Sequence, residues 1–231
     1  MSIVAIVTAR GGSKRLPGKN LLPLAGLPMI VHTLCAARAS TRISRTYVTT
    51  DDSAIAAVSA AHGAQIIDRP LELAQDHSKS EDAVYHALLE IDRRDGMPEA
   101  ICLLQPTSPL RNAVQIDGAI DAFYAAGTTP TLSVKRTSGH LNKLLRLTDC
   151  RLTPYFGTAA FRERGSSMAD LFTPNGAIYI VAAQSFLATG DLYSERMVPF
   201  EMDDESSLDI DTALDLRVAE AVLAMRGDAQ K

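Results

Sequence analysis

The chain has 231 residues, of which 46% are hydrophobic, and a formal net charge of −4. That length suits one large α/β domain with a sizeable core, and the acidic balance argues against general nucleic-acid binding. No apolar run is long enough to span a membrane. The three cysteines, Cys35, Cys102 and Cys150, are widely spaced and form no C-x-x-C pair, which fits a reducing cytoplasm. Met1-Ser2 leads straight into an apolar run, so no secretory leader is expected.

Ile3-Val4-Ala5-Ile6-Val7 reads as a buried strand. It runs into Ala9-Arg10-Gly11-Gly12-Ser13-Lys14-Arg15-Leu16-Pro17-Gly18-Lys19-Asn20. Adjacent glycines let the backbone turn sharply and bring its N–H groups near a ligand. Arg10, Lys14, Arg15 and Lys19 supply positive charge, so a triphosphate is the expected guest. This is not a P-loop: Gly12 and Gly18 have five residues between them, and Asn20 stands where a magnesium-binding hydroxyl belongs. It is not G-x-G-x-x-G either, so a redox dinucleotide enzyme is disfavoured.

Pro28 to Ala39 reads as a helix with Pro28 in its first turn, and Tyr47-Val48-Thr49-Thr50 as a strand. Ser53 to Ala61 is an Ala-rich helix stopped by Gly63, and Gln65 to Asp68 a short strand before Arg69-Pro70. Leu71 to Lys79 is polar and loop-like. Glu81 to Arg93 is helical, with Ser80 as the expected N-cap. Ala100 to Leu104 is a strand leading into Gln105-Pro106-Thr107-Ser108-Pro109-Leu110-Arg111; Asn112 to Ala125 is a helix, and Thr131 to Val134 a strand. This alternation predicts a mostly parallel sheet with helices on both faces. Ligands of such sheets sit beyond the carboxyl ends of the strands, where Arg10, Asp51, Arg69 and Gln105 all fall.

From about Lys135 to Pro174 the pattern loosens into an excursion, read as a lid or dimerisation arm. Regular structure returns as a strand over Asn175 to Val181, a short helix over Gln184 to Ala188 and an edge strand at Val198-Pro199-Phe200. A last helix over Thr212 to Arg226 is expected to bury Leu214, Val218, Ala221, Val222 and Met225. Just before it, Asp209 and Asp211 flank Ile210. On an extended chain both carboxylates face one way and Ile210 faces the core. Such a pair suits Mg²⁺, which takes one or two carboxylates and completes its shell with phosphate and water. The competing role for Asp211 is to cap the helix. No histidine has a partner at metal spacing and no nucleophile elbow exists, so covalent catalysis is not indicated. A phosphate loop, an acidic pair and polar strand ends suit nucleotidyl transfer.

The motifs resemble the acylneuraminate cytidylyltransferases, or CMP-sialic acid synthetases. The likeness runs through the glycine-rich loop, Thr49-Thr50-Asp51, Arg69-Pro70-x-Glu72-Leu73-Ala74, Leu104 to Arg111, Pro174-Asn175-Gly176-Ala177-Ile178-Tyr179 and Asp209-Ile210-Asp211. It covers nearly the whole chain, and the last three motifs together are its most specific part. The resemblance implies a Rossmann-like nucleotidyltransferase fold in a single domain over 1–231, with the dimerisation excursion at about 138–173. It implies that CTP and a nine-carbon 2-keto sugar acid give a CMP-sugar and pyrophosphate in a cytoplasmic, Mg²⁺-dependent homodimer. Arg10, Gly11, Gly12, Ser13, Lys14 and Lys19 would hold the triphosphate, and Asn20, Arg69 and Ser80 would help place the cytidine. Gln105, Lys143, Asn175 and Tyr179 would contact the sugar acid, Lys143 facing its carboxylate. Asp209 and Asp211 would bind Mg²⁺. Arg10, Lys19, Asp209 and Asp211 would carry the catalysis. The chain departs from the family at Thr173, at Arg164 to Met168 and at Leu192-Tyr193, where sugar and dimer partner would meet. N-acetylneuraminate, its deaminated analogue KDN and legionaminate therefore stay open as substrates. Pseudaminate and Kdo are rivals within the class, and a catalytically silent nucleotide-binding regulator is the rival outside it.

Overall fold

The computed structural model describes residues 2–137, 141–163 and 171–228. Its first strand, β1 (Ile3–Thr8), is buried on both faces. Ile3, Ala5 and Val7 enter one core, while Val4 and Ile6 enter another. That period-two split marks a sheet sandwiched between helices, which is why the strand reads as a continuous apolar run.

After the glycine-rich loop comes a single 3-10 turn, Lys19–Leu21, then two very short strands, β2 (Pro23–Leu24) and β3 (Leu27–Pro28). α1 (Met29–Ala39) follows, with Pro28 at its N-cap position. Next are β4 (Ile43–Thr50), α2 (Ser53–Ala61) and β5 (Gln65–Asp68). The Asp52 side chain caps α2 by accepting from the amides of Ala54 and Ile55. α3 (Ser80–Asp95) begins one residue earlier than expected: Lys79 holds the N-cap position, no side chain caps it, and Ser80 is the first helical residue. β6 (Ala100–Leu103), α4 (Ala113–Ala125) and β7 (Thr131–Arg136) continue the alternation. Asn112 and Gln115 form a capping box at the start of α4.

The excursion has regular structure that the sequence pattern did not show. β8 (Leu145–Thr148) and β9 (Arg151–Pro154) form a hairpin, and α5 (Gly157–Arg162) follows. Asp149 and Cys150 both take positive φ, at 48° and 59°. That is the two-residue turn whose twist matches a hairpin, here built without glycine. Short strands with no buried face leave little periodicity to read: every residue of β8 is exposed. The departure over Arg164 to Met168 lies outside the described residues.

β10 (Phe172–Ala182), α6 (Ala183–Thr189), β11 (Val198–Glu201) and α7 (Ala213–Asp228) complete the chain. Among the described residues the main sheet has seven strands in the order β11-β7-β10-β6-β1-β4-β5. Only β10 runs against its neighbours, β6 and β7; the other pairings are parallel. The expected edge strand is therefore β11. One face packs α1 and α4 through Ile30, Leu34, Ile116 and Phe123. The other packs α3 and α6 through Val84, Leu88, Ile91 and Phe186.

α7 turns a different face inward from the one expected. Ala219 and Val222 are buried, with Leu216 and Leu223 packed beside them on Leu24, Met29, Leu110 and Ile210. Of the expected set only Val222 is buried; Ala221 is exposed, as are Leu214, Val218 and Met225 at 70%, 42% and 61%. The helix carries apolar residues at helical spacing on two faces, so period alone does not choose between them. Packing on Leu24, Met29, Leu110 and Ile210 makes the choice, and the N-terminus sets where the helix begins. The Thr212 hydroxyl accepts from the Asp215 amide at 3.3 Å, while Asp215 Oδ2 accepts from the Thr212 amide at 2.7 Å. This reciprocal cap fixes where the helix starts. It also removes the capping role offered to Asp211.

Candidate active site

Two clefts open at the carboxyl ends of the parallel strands, and they share Gln105 and Asp209. The first has a volume of about 290 Å³ and is lined by Arg10, Gly12, Ser13, Lys19, Asn20, Arg69 and Ser80, with Asp211 on its rim. The second, of about 610 Å³, is lined by Gln105, Asn175, Gly176 and Tyr179 together with Lys135 and Asp204.

The glycine-rich loop is held from two sides. The Gly11 amide donates to Asp51 Oδ1 at 2.9 Å, tying the end of β1 to the end of β4. A Cβ on Gly11 would lie 2.7 Å from Asp52 Oδ2 and 2.9 Å from Asp52 Cβ, so only glycine fits against the capped start of α2. Asn20 is buried and donates to the Arg10 carbonyl at 3.0 Å, fixing the loop from within. Gly18 takes φ +66°, closing the loop into the 3-10 turn. Gly11 and Lys14 are not on the cleft wall. Gly11 anchors the loop, and Lys14 pairs with Asp76 at 2.6 Å.

Asp76 was not singled out by the sequence, yet like Asp211 it is a counter-charge of this cleft. It also pairs with Arg10 at 3.2 Å, and the Arg10 guanidinium donates to the Ala74 carbonyl at 3.4 Å. Lys14 foremost, and Arg10 with it, hold the Asp76 carboxyl below its ordinary range. Nothing in the polar segment from Leu71 to Lys79 has a period that would flag this residue.

Arg69 is buried rather than part of a surface ion pair. Its Nη2 donates to the Thr49 carbonyl at 2.7 Å and its Nε to Thr49 Oγ1 at 3.3 Å. Burial brings its pKa down to about 10 against the support of Asp51, so it stays cationic at neutral pH. The guanidinium thus brings a fixed positive charge to the floor of the first cleft.

Asp209 and Asp211 both face that cleft, and Ile210 between them is fully buried. The Ile210 amide donates to the Thr107 carbonyl at 2.8 Å, which holds the extended segment against the strand end. Burial raises the Asp209 pKa; the neighbouring charge of Asp211 adds to this, while the Thr107 hydroxyl opposes it. Lys19 Nζ donates to Asp211 Oδ1 and to the Ile210 carbonyl, each at 3.0 Å. Arg15, a cation the sequence marked but did not assign, pairs with Asp211 Oδ2 at 2.6 Å. Among the described residues no three or more His, Cys, Asp or Glu gather as a metal site. Two carboxylates beside a cationic loop suit a hard divalent ion whose other ligands are phosphate oxygens and water.

In the second cleft the candidates separate into two kinds. Tyr179 is buried with its ring edge-on to Tyr193, centroids 5.9 Å apart. Burial first, then the Tyr193 hydroxyl, raises its pKa, so it stays a protonated donor. Asn175 lines the cleft, but its amide is spent inside the protein. Oδ1 accepts from Ser133 Oγ at 2.5 Å and from the Ala177 amide at 3.1 Å, and Nδ2 donates to Ser207 Oγ at 2.9 Å. Asn175→Ala would leave these buried groups unpaired, at a cost of about 2–4 kcal/mol. Thermal unfolding should then fall by roughly 5–12 °C; an unchanged melting temperature would return the amide to a ligand-binding role.

Lys143 is not brought to either cleft. It sits in the excursion, where its ammonium donates to the carbonyls of Phe161 and Glu163 and lies 5.0 Å from the Phe161 ring centroid. The lysine that lines the second cleft is Lys135, at the end of β7. A lone exposed lysine past an apolar strand gave the sequence reading nothing to distinguish it.

A family model described as cytidylyltransferase matches residues 4–217. The chain belongs to the cytidylyltransferase family. Membership makes it a nucleotidyltransferase enzyme. It is 34% identical over 219 residues to the N-acylneuraminate cytidylyltransferase of Escherichia coli, covering 94% of this chain and 51% of that one. It is 33% identical over 237 residues to the CMP-N,N'-diacetyllegionaminic acid synthase of Legionella pneumophila, covering 99% of each. The chain thus spans about half the length of the first relative and nearly all of the second. Among solved structures, a CMP:2-keto-3-deoxy-manno-octonic acid synthetase complexed with CTP matches with a TM-score of 0.74 and 18% identity, over 98% of this chain and 100% of that one. The fold is thus the Rossmann-like nucleotidyltransferase fold expected from the motifs.

Proposed function

We propose that this cytidylyltransferase joins CMP from CTP to a nine-carbon 2-keto sugar acid, N-acetylneuraminate or a close analogue, and releases pyrophosphate. The observation that carries this reading is the pair of clefts meeting at Gln105 and Asp209. The cationic one suits a triphosphate; the other offers hydroxyl, amide and ammonium groups that suit a polyhydroxylated acid. Their shared wall is where a sugar hydroxyl would meet the α-phosphorus. The names of the E. coli and Legionella relatives support the same reading.

In this reading Arg10, Lys14 and Lys19 neutralise charge growing on the phosphate oxygens as the bond to pyrophosphate breaks. To do so, Arg10 and Lys14 exchange the Asp76 carboxylate for phosphate. The Gly12 and Ser13 segment lines the cleft, and Arg69 adds charge beneath it. Asp209 and Asp211 would hold Mg²⁺, which supplies Lewis-acid charge to the triphosphate. Tyr179, kept protonated by burial, donates to the sugar acid.

Lys135 is the cation for the sugar carboxylate in this reading, in place of Lys143. Lys135→Ala should raise KM for the sugar acid by about tenfold and leave KM for CTP unchanged, as expected for one lost charge-assisted hydrogen bond. Equal KM values in the variant and the parent protein would remove Lys135 from the cleft's function.

We place the enzyme in the cytoplasm as a homodimer through the excursion, which exposes Leu145, Leu147, Leu152, Tyr155 and Phe156 at 45–68%. Contiguous exposed apolar side chains of this kind favour association. Charged replacements at Leu147, Leu152 and Phe156 should convert a dimer to a monomer in sedimentation velocity; a dimer that persists puts the interface elsewhere.

The decisive experiment is pyrophosphate release with CTP and Mg²⁺ against N-acetylneuraminate, KDN, legionaminate, pseudaminate and Kdo. Turnover with a nine-carbon acid names the substrate. CTP binding without turnover across the panel overturns the reading in favour of a silent nucleotide-binding protein.

A further inference from the structure

Arg111 is 2% exposed and lines neither cleft. Its Nη1 donates to the Gln105 carbonyl at 3.3 Å and to the Ala177 carbonyl at 2.9 Å. Its Nε and Nη2 have no partner among the described residues. Among the described residues no carboxylate compensates it: the titratable group beside it is the Cys102 thiol, which burial keeps neutral by raising its pKa to about 12. A guanidinium buried with no counter-ion is costly, and an apolar side chain of similar volume would serve packing better. The two carbonyls it bridges account for its presence. One belongs to Gln105, the residue shared by both clefts. The other follows directly on Asn175-Gly176, which walls the second cleft. The contact at Gly176 shows how tightly the two segments fit. With φ +80°, a Cβ there would lie 3.0 Å from Gln105 Oε1. The Gln105 amide thus lies against a bare backbone while Arg111 pins its carbonyl from behind.

We propose that Arg111 is a positioning residue that fixes Gln105 against the Gly176 corner, so that the Gln105 amide meets the sugar acid in register with the nucleotide cleft. This rests on the two-substrate reading above. Lysine does not replace it well, because a single ammonium on a flexible stem lacks the rigid planar fork.

The test uses initial rates of the full chain with CTP and the sugar acid that the panel identifies. Arg111→Met should lower kcat/KM for the sugar acid by about 30–100-fold, the scale of an ångström-sized misplacement, while KM for CTP stays within about twofold. Arg111→Lys should recover only part of that loss. The deciding measurement is the cycle with Gln105→Ala: if Arg111 acts through Gln105, adding Arg111→Met to Gln105→Ala costs no more than about twofold further. Losses that multiply in the double variant, or that fall equally on both substrates, overturn the proposal. If Arg111→Met melts below the assay temperature, Arg111→Lys carries the same cycle. A parent protein that turns over none of the sugar acids overturns the two-substrate reading itself, whereas an active parent with a multiplicative cycle overturns only the role of Arg111.

Discussion

Asp209→Asn should abolish turnover and at the same time make the metal-free protein more stable. The Asp209 carboxyl is held above its ordinary pKa, burial being the largest cause. A group whose folded pKa is raised favours folding below its unfolded pKa, and that contribution is lost as pH rises through the folded value. In its ionised form the carboxylate is desolvated and beside Asp211, so it weighs against the fold as pH rises. Asparagine keeps the shape and removes the charge. We expect a melting temperature at neutral pH a few degrees higher, with the gain fading at acid pH. Turnover should fall by about 10³-fold or more, and residual activity should need more Mg²⁺ to saturate, since half of a paired ligand set is gone. An unchanged Mg²⁺ titration with near-normal turnover would leave Asp209 a buried acid with no metal role. A loss of stability at neutral pH would show that its contact with Thr107 outweighs its desolvation. The opposed signs give the experiment its force, because a general folding defect cannot raise the melting temperature while removing activity.

Arg10→Ala should lower kcat/KM for CTP by about 10²–10³-fold, the usual cost of one charge aimed at a developing oxyanion. The fold should survive it. Arg10 is half-exposed, its bridge to Asp76 spans 3.2 Å at the surface, and such pairs add little to stability. Asp76 keeps Lys14 as a partner at 2.6 Å. Pyrophosphate release and thermal melting together decide the matter. Near-normal rates would reduce Arg10 to a structural contact with Asp76 and Ala74. Melting lowered by more than a few degrees would mean that the loop, rather than the charge, had been lost.

The parts of this molecule that the sequence disclosed are those written in local terms. A run of apolar residues followed by glycines and cations is visible in β1 and its loop. The alternation Asp209-Ile210-Asp211 requires only that the segment be extended, and Ile210 is indeed fully buried between two cleft-facing acids. The grouping of Arg10, Asp51, Arg69 and Gln105 needed only the rule that ligands sit at strand ends; Arg10, Arg69 and Gln105 line the first cleft, while Asp51 holds the glycine-rich loop through the Gly11 amide. What escaped reading depends on partners distant in the chain. Asp76 matters because Arg10 and Lys14 reach it, and Asn175 because Ser133 and Ser207 consume its amide. α7 escaped because two of its faces are equally apolar, and only its packing on Leu24, Met29 and Leu110 decides which is inside. Arg111 was quoted as part of a motif, but its bond to Ala177 spans 66 positions. Lys143, offered by the family likeness as the best match for a cation at the sugar carboxylate, lies within this chain among the carbonyls of the excursion.

The reversal of β10 has an evolutionary side. Because it runs against β7, the chain leaves the sheet after Arg136 and re-enters at Phe172, opposite one another in register. The Thr137 amide closes the mouth of this excursion on the Leu171 carbonyl at 2.8 Å. Lengthening a loop whose ends are already tied costs little, about 0.6 kcal/mol for each doubling. The segment is thus a graft on a fixed stem. It can be exchanged, enlarged or rebuilt while the nucleotide half of the enzyme stays as it is. Its stem rises beside Lys135 and Asn175, so each such graft also redraws the rim of the neighbouring cleft. On the proposed reading of the excursion as the dimer contact and of that cleft as the acceptor site, assembly and choice of acceptor can diversify together on one stretch of chain, with the phosphate chemistry left alone.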